Sequence, residues 1–120
     1  MRGKQYLTKP AQYALVYNKG DSWTNNLLVM KALPNELASS RYGFSVGRRV
    51  GKAVVRNRVK RLLREILRST PLIAGWDIVF IARAHTAGVD YAGLEEAVKD
   101  LLSRAGLLVE NYEKVSLRSH

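Results

Sequence analysis

The residues best placed to do chemistry lie between Gly47 and Ser69, GRRVGKAVVRNRVKRLLREILRS, where nine lysines and arginines stand against a single acid, Glu65. Arginine outnumbers lysine there, and guanidinium groups hold phosphate through paired hydrogen bonds and stack on bases. The chemistry on offer is polyanion binding. Bond cleavage would need more than this. His85 and His120 have no partner at metal-ligand spacing, and neither an HExxH nor a P-loop pattern occurs. Glu95, Glu96 and Asp100 read as a solvated helix face. No catalytic residue and no metal site is expected in the chain itself.

Helical geometry sorts the basic stretch into two faces. At ~100° per residue from Arg56, the residues Val55, Val59, Leu62, Leu63, Ile66 and Leu67 centre near ~290°, and Asn57, Lys60, Arg61, Arg64 and Arg68 near ~90°. Burying the aliphatic face therefore presents the cationic one. Arg56 and Arg58 fall on the two borders, where their stems can follow the surface while their heads reach out. Arg48, Arg49 and Lys52 extend the charge to the helix N-terminus, whose free N–H groups attract anions. A helix charged only for solubility mixes signs. Here like charges recur at 52, 56, 60, 64 and 68, each adjacent pair costing a few tenths of a kcal/mol that a bound polyanion would offset.

A second candidate is the pair Tyr13 and Tyr17, four residues apart and so on one helix face. Both rings could be core. Tyrosine also has a polar edge suited to a half-exposed groove, and aromatic faces beside cations hold single strands without reading sequence.

The elements that must position these residues follow from the pattern around them. Thr8 can cap a helix starting at Lys9 and Pro10 and running to Lys19, with Gly20 as its stop. Residues 27–33 and 41–46 read as strands that pair as antiparallel neighbours, with a short extra strand possible near Ser22 to Thr24. The basic helix runs from after Gly51 to about Arg68 and stops before Pro71. WDIVFIA, 76–82, is apolar on both faces and reads as a central strand. Asp90 caps a last helix with Leu94, Ala97, Val98, Leu101, Leu102 and Ala105 toward the core, ended by Gly106.

The 120 residues suit one domain, 1–120, with a basic N-terminal arm over about 1–7 and a loose tail over about 109–120. The class is α+β, with helices packed on one sheet. The net charge of +10 is lopsided: residues 1–70 hold fifteen Lys or Arg and three acids, residues 71–120 five and seven. Such a field draws polyanions, and nucleic acid is the commonest in the cytoplasm, where a chain without cysteine fits. An anionic membrane is disfavoured because the basic segment lacks an exposed Trp or Phe wedge, and no window is apolar enough to span a bilayer. DNA is not expected, since no helix-turn-helix partner precedes the basic helix.

At KAVVRNRVKRLLRE the sequence closely resembles the protein subunit of bacterial ribonuclease P. The run Arg56, Asn57, Arg58, followed by Lys60, Arg61 and Arg64, carries the likeness, together with YALVYNKG, YGFSVGRRVGKAV and WDIVFIAR in the same order and spacing. The resemblance implies a four-stranded, mainly antiparallel sheet with three helices, of the ribosomal protein S5 domain 2-like kind. It also implies a left-handed βαβ crossover through the basic helix, where the general default is right-handed. It implies a partner, the ribonuclease P RNA, and a substrate, precursor tRNA, whose 5′ leader the complex removes by phosphodiester hydrolysis. The active site and its Mg²⁺ ions would lie in the RNA. Carried over by position, Arg48, Arg49, Lys52, Arg56, Asn57, Arg58, Lys60, Arg61, Arg64 and Arg68 would face the RNA subunit. Tyr13, Tyr17 and Lys31 would line the cleft for the single-stranded leader. Gly47 stands where the family often has serine, which removes one hydroxyl from that cleft. The alternative is a ribosomal or assembly protein that uses the same basic helix without an enzymatic partner.

Overall fold

The computed structural model describes residues 5–109. Its elements are β1 (Gln5–Tyr6), α1 (Pro10–Lys19), β2 (Asp21–Thr24), β3 (Leu28–Pro34), β4 (Arg41–Ser45), α2 (Ala53–Arg68), β5 (Trp76–Ala82), a 3₁₀ turn (Ala84–Gly88) and α3 (Tyr91–Arg104). The strands form one mixed sheet in the order β1-β4-β5-β3-β2. The four longer strands are those of the expected sheet, and β1 adds two residues at one edge.

The expected pairing of β3 with β4 is not made. β5 lies between them, antiparallel to β3 and parallel to β4. The reason is visible in β5 itself. Asp77, Ile78, Val79 and Phe80 are consecutive buried residues, so neither face nor edge of this strand can meet water. A strand of that kind belongs in the middle, and β3 and β4 flank it. The parallel pair β4–β5 is joined through α2, which gives the βαβ crossover.

Layers form on both faces. On one, Leu28, Met30, Ala32, Tyr42, Ile78 and Phe80 pack against Val59, Leu63, Ile66 and Leu67 of α2 and Leu94, Val98, Leu101 and Leu102 of α3. On the other, Val16 of α1 joins Leu7 and Val79, with Tyr13, Leu33 and Ile81 around them. The aliphatic stripe of α2 is thus the buried one, and truncating a residue such as Leu63 costs about 2–5 kcal/mol.

The helix ends show where local reading holds. The carboxylate of Asp90 accepts a hydrogen bond from the Gly93 N–H at 2.9 Å, as expected of a cap. At α1 the cap position falls on Lys9, not Thr8. The side chain of Gln12 folds back and accepts from the N–H groups of Thr8 (2.8 Å) and Lys9 (3.0 Å), so the two residues entering the helix have their backbone donors satisfied from its third position. Gly20 ends α1 without a left-handed turn; it is required by close approach, since a Cβ there would stand 2.7 Å from the Val16 carbonyl oxygen.

The termini differ from expectation where they are described. Residues 5 and 6 of the supposed arm are strand β1, and Leu7 is buried, with its N–H donating to the Tyr42 carbonyl at 2.7 Å. Val109 at the start of the supposed tail donates to the Pro71 carbonyl at 3.2 Å. The rest of the arm and tail, 1–4 and 110–120, lies outside the described residues.

Candidate RNA interface

The helix α2 presents Asn57, Arg61, Arg64 and Arg68 to solvent, with Lys60 half-buried beside them. Because Val59, Leu63, Ile66 and Leu67 are held in the core, this array cannot rotate away. The two border arginines have acquired local duties. The Nε of Arg56 donates to the Gly51 carbonyl at 3.1 Å, fastening the first turn. Arg58 donates to the Val89 carbonyl at 2.7 Å and so ties α2 to the loop before α3. Lys52 sits exposed at the N-cap.

Arg48 and Arg49 stand apart from this array. They are exposed in the turn after β4 and line a pocket of about 450 Å³ with Ser45, Ile81, Arg83 and His85. The pocket lies where the parallel strands β4 and β5 both end. From sequence, His85 is seen only as a histidine with no metal-ligand partner and Arg83 carries no site role, because only the β4–β5 pairing brings them beside Arg48 and Arg49.

The face under α1 makes the second surface. Lys31, Val79 and Gly43 are register partners across three strands, and Val29, Ile81 and Ser45 form the next row toward the basic pocket. Val29, Lys31, Ile81 and Ser45 are all half-buried, so this strip is accessible. Tyr13 and Tyr17 approach it from α1 with ring centroids 6.5 Å apart and planes tilted by 52°. They are not equivalent. Tyr17 is 38 % exposed, whereas Tyr13 is half-buried with its hydroxyl turned to the Leu7 carbonyl at a long 3.5 Å. Burial accordingly pushes the Tyr13 phenol above its ordinary pKa.

The acids of α3 offer a contrast. Glu95 pairs with Lys99 at 3.5 Å and Asp100 with Arg104 at 3.1 Å, so α3 balances its charges along its own surface, whereas α2 sets six cations against the one acid Glu65. Six cations against the single acid Glu65 on α2, and further cations around the basic pocket beside an open aromatic and apolar strip of the sheet, are the features of an RNA-binding protein.

The family model for ribonuclease P matches residues 1–106. The chain belongs to the ribonuclease P protein family. It is 49 % identical over 119 residues to the ribonuclease P protein component of Dehalococcoides mccartyi strain CBDB1, covering 99 % of each chain. It is 42 % identical over 105 residues to that of Clostridium kluyveri, covering 84 % of this chain and 94 % of the other. Among solved structures, the ribonuclease P protein of Thermotoga maritima superposes with a TM-score of 0.75 at 33 % identity, over 84 % of this chain and 97 % of that one. The Staphylococcus aureus protein gives 0.78 at 30 % identity, over 86 % and 96 %. Membership in the ribonuclease P family implies association with a ribonuclease P RNA and a part in an endonuclease complex.

Gly47 is open to revision within this family. Nothing lies within 4 Å of where its Cβ would be, so a serine there would meet no obstacle.

Proposed function

We propose that this chain acts with a ribonuclease P RNA in the cytoplasm to remove the 5′ leader from precursor tRNA, holding the RNA with α2 and the leader on the sheet face under α1. The observation that supports this most is the placement of two accessible surfaces on opposite faces of one sheet, the α2 array on one and the strip from Tyr17 and Lys31 to Ser45 on the other. A protein so built can hold two RNA segments at once and screen the repulsion between their phosphates. Base stacking on Tyr17 would favour a single strand, and cations around the basic pocket would follow its backbone.

Among the described residues no three His, Cys, Asp or Glu side chains are gathered as a metal site requires. We assign the hydrolytic centre and its divalent ions to the RNA subunit, in keeping with membership of the ribonuclease P family. The test is reconstitution. Purified protein mixed with a bacterial ribonuclease P RNA at low Mg²⁺ should raise accurate cleavage of precursor tRNA above that of the RNA alone. Absence of stimulation would overturn the reading.

A further inference from the structure

The edge strand β1 carries a second aromatic site. Tyr6 is the register partner of Tyr42, and Phe44 lies two residues further along β4, so the three rings share the face of the sheet on which α2 packs. Tyr6 is 44 % exposed, and its ring meets Phe44 edge to face at 6.1 Å and 61°. Leu7, buried on the opposite face with Val16 and Val79, pins the strand that carries it. Above these rings α2 places Lys60 and Arg64, one turn apart. Neither cation has a hydrogen-bond or ion-pair partner among the described residues.

Together Tyr6, Tyr42, Phe44, Lys60 and Arg64, with the edge of Tyr13, bound a pocket of about 230 Å³. That is below the roughly 300–1,000 Å³ of pockets for larger ligands, so it suits one planar group and not a strand. An open aromatic ring supplies a π face for such a group, and two unpaired cations at the rim supply partners for its phosphate. We propose that this pocket receives a single unpaired nucleobase of the ribonuclease P RNA, stacked on Tyr6 with its phosphates between Lys60 and Arg64. The pocket sits at the sheet edge, where Leu7, Tyr13 and Gly43 of the α1 face also border it, and the RNA subunit is assigned as the source because both of its cations, Lys60 and Arg64, belong to the α2 array. The inference therefore rests on the functional reading above.

The experiment is chemical probing of base accessibility in ribonuclease P RNA, with and without protein and with no tRNA present, alongside binding titrations. Wild-type protein should shield one unpaired base. Tyr6→Ala and Tyr6→Leu should leave that base reactive and weaken RNA binding about tenfold with the salt slope unchanged, since stacking and not charge is lost. Tyr6→Phe should restore the protection. Tyr6→Leu preserves an apolar contact with Phe44, so an effect shared by both variants is not simple fraying of β1. Wild-type affinity and footprint in Tyr6→Ala, or a defect seen only when leader-bearing substrate is added, overturns the proposal. If wild-type protein itself leaves the RNA unbound, the functional reading fails with it, and the two failures are told apart by that control.

Discussion

The ring of Tyr13 rests on Gly43: a Cβ added to that glycine would stand 2.5 Å from the ring. Gly43 is also the register partner of Val79, the buried centre of the α1 face. The absence of a side chain at position 43 thus lets α1 bring an aromatic residue down to the sheet. Gly43→Ala should cost about 1–3 kcal/mol of stability by overpacking. Tyr13→Ala in the same chain should recover part of that cost. A double-mutant cycle by urea unfolding checks this, and additive losses would show that the two residues do not interact.

The two tyrosines of α1 should separate in function. Tyr17→Ala removes an exposed ring and should leave stability within about 0.5 kcal/mol, while weakening binding of leader-bearing tRNA by about 1–3 kcal/mol and leaving mature tRNA unaffected. Tyr13→Ala should lower both stability and leader affinity, because the ring is half-buried. Equal effects of the two substitutions on thermal unfolding would contradict this division.

Arginines on α2 should likewise fall into two kinds. Arg61→Ala and Arg64→Ala should weaken RNA binding and each reduce the salt slope by about 0.7–0.9, with little change in stability. If roughly five phosphates are neutralised in single-strand-like contacts, the whole slope should be about −3.5. Arg58→Ala also loses the bond to the Val89 carbonyl and should cost about 1.5–3 kcal/mol of folding stability. Comparing unfolding with salt-dependent binding for the three variants tests the assignment.

Acid sensitivity should reside partly in Arg41 and Asp77, register partners on β4 and β5 joined by two hydrogen bonds of 2.8 and 2.7 Å. Burial raises the Asp77 carboxyl, but the hydrogen bonds from Arg41 and Asn35 and the charge of Arg41 more than offset this and hold it below its ordinary value. The stabilisation is therefore complete above the unfolded-state pKa, near ~3.9, and is lost as pH falls through the lower folded-state value. Arg41→Ala leaves a buried carboxylate without its cation and should cost about 3–5 kcal/mol at neutral pH. Its deficit should shrink on acidification, as the stranded carboxyl takes up a proton. A pH-independent deficit would falsify this account.

Gly47→Ser should be silent in folding. The site is exposed, its Cβ would meet nothing within 4 Å, and stability should stay within about 0.5 kcal/mol by thermal unfolding. A large loss would mean that the turn after β4 depends on glycine.

What could be read without tertiary structure was whatever depends on neighbours in sequence. The two faces of α2 follow from a 3.6-residue period, the Asp90 cap from a side chain reaching three residues ahead, and the central place of β5 from its apolar run over residues 78–82. The family motif belongs to the same class, since it lies almost wholly within one helix. What only the fold decided were meetings between residues far apart in sequence. The insertion of β5 separated β3 from β4 and set Arg83 and His85 beside Arg48 and Arg49. The packing of α1 made Tyr13 half-buried and left Tyr17 open, although spacing treats them alike. A two-residue strand has no period to detect, so nothing local could announce that Tyr6 would stand beside Phe44 under Lys60 and Arg64. Helical periodicity tells which side of a helix is buried; strand order and register, which depend on closing the whole sheet, decide what the other side faces.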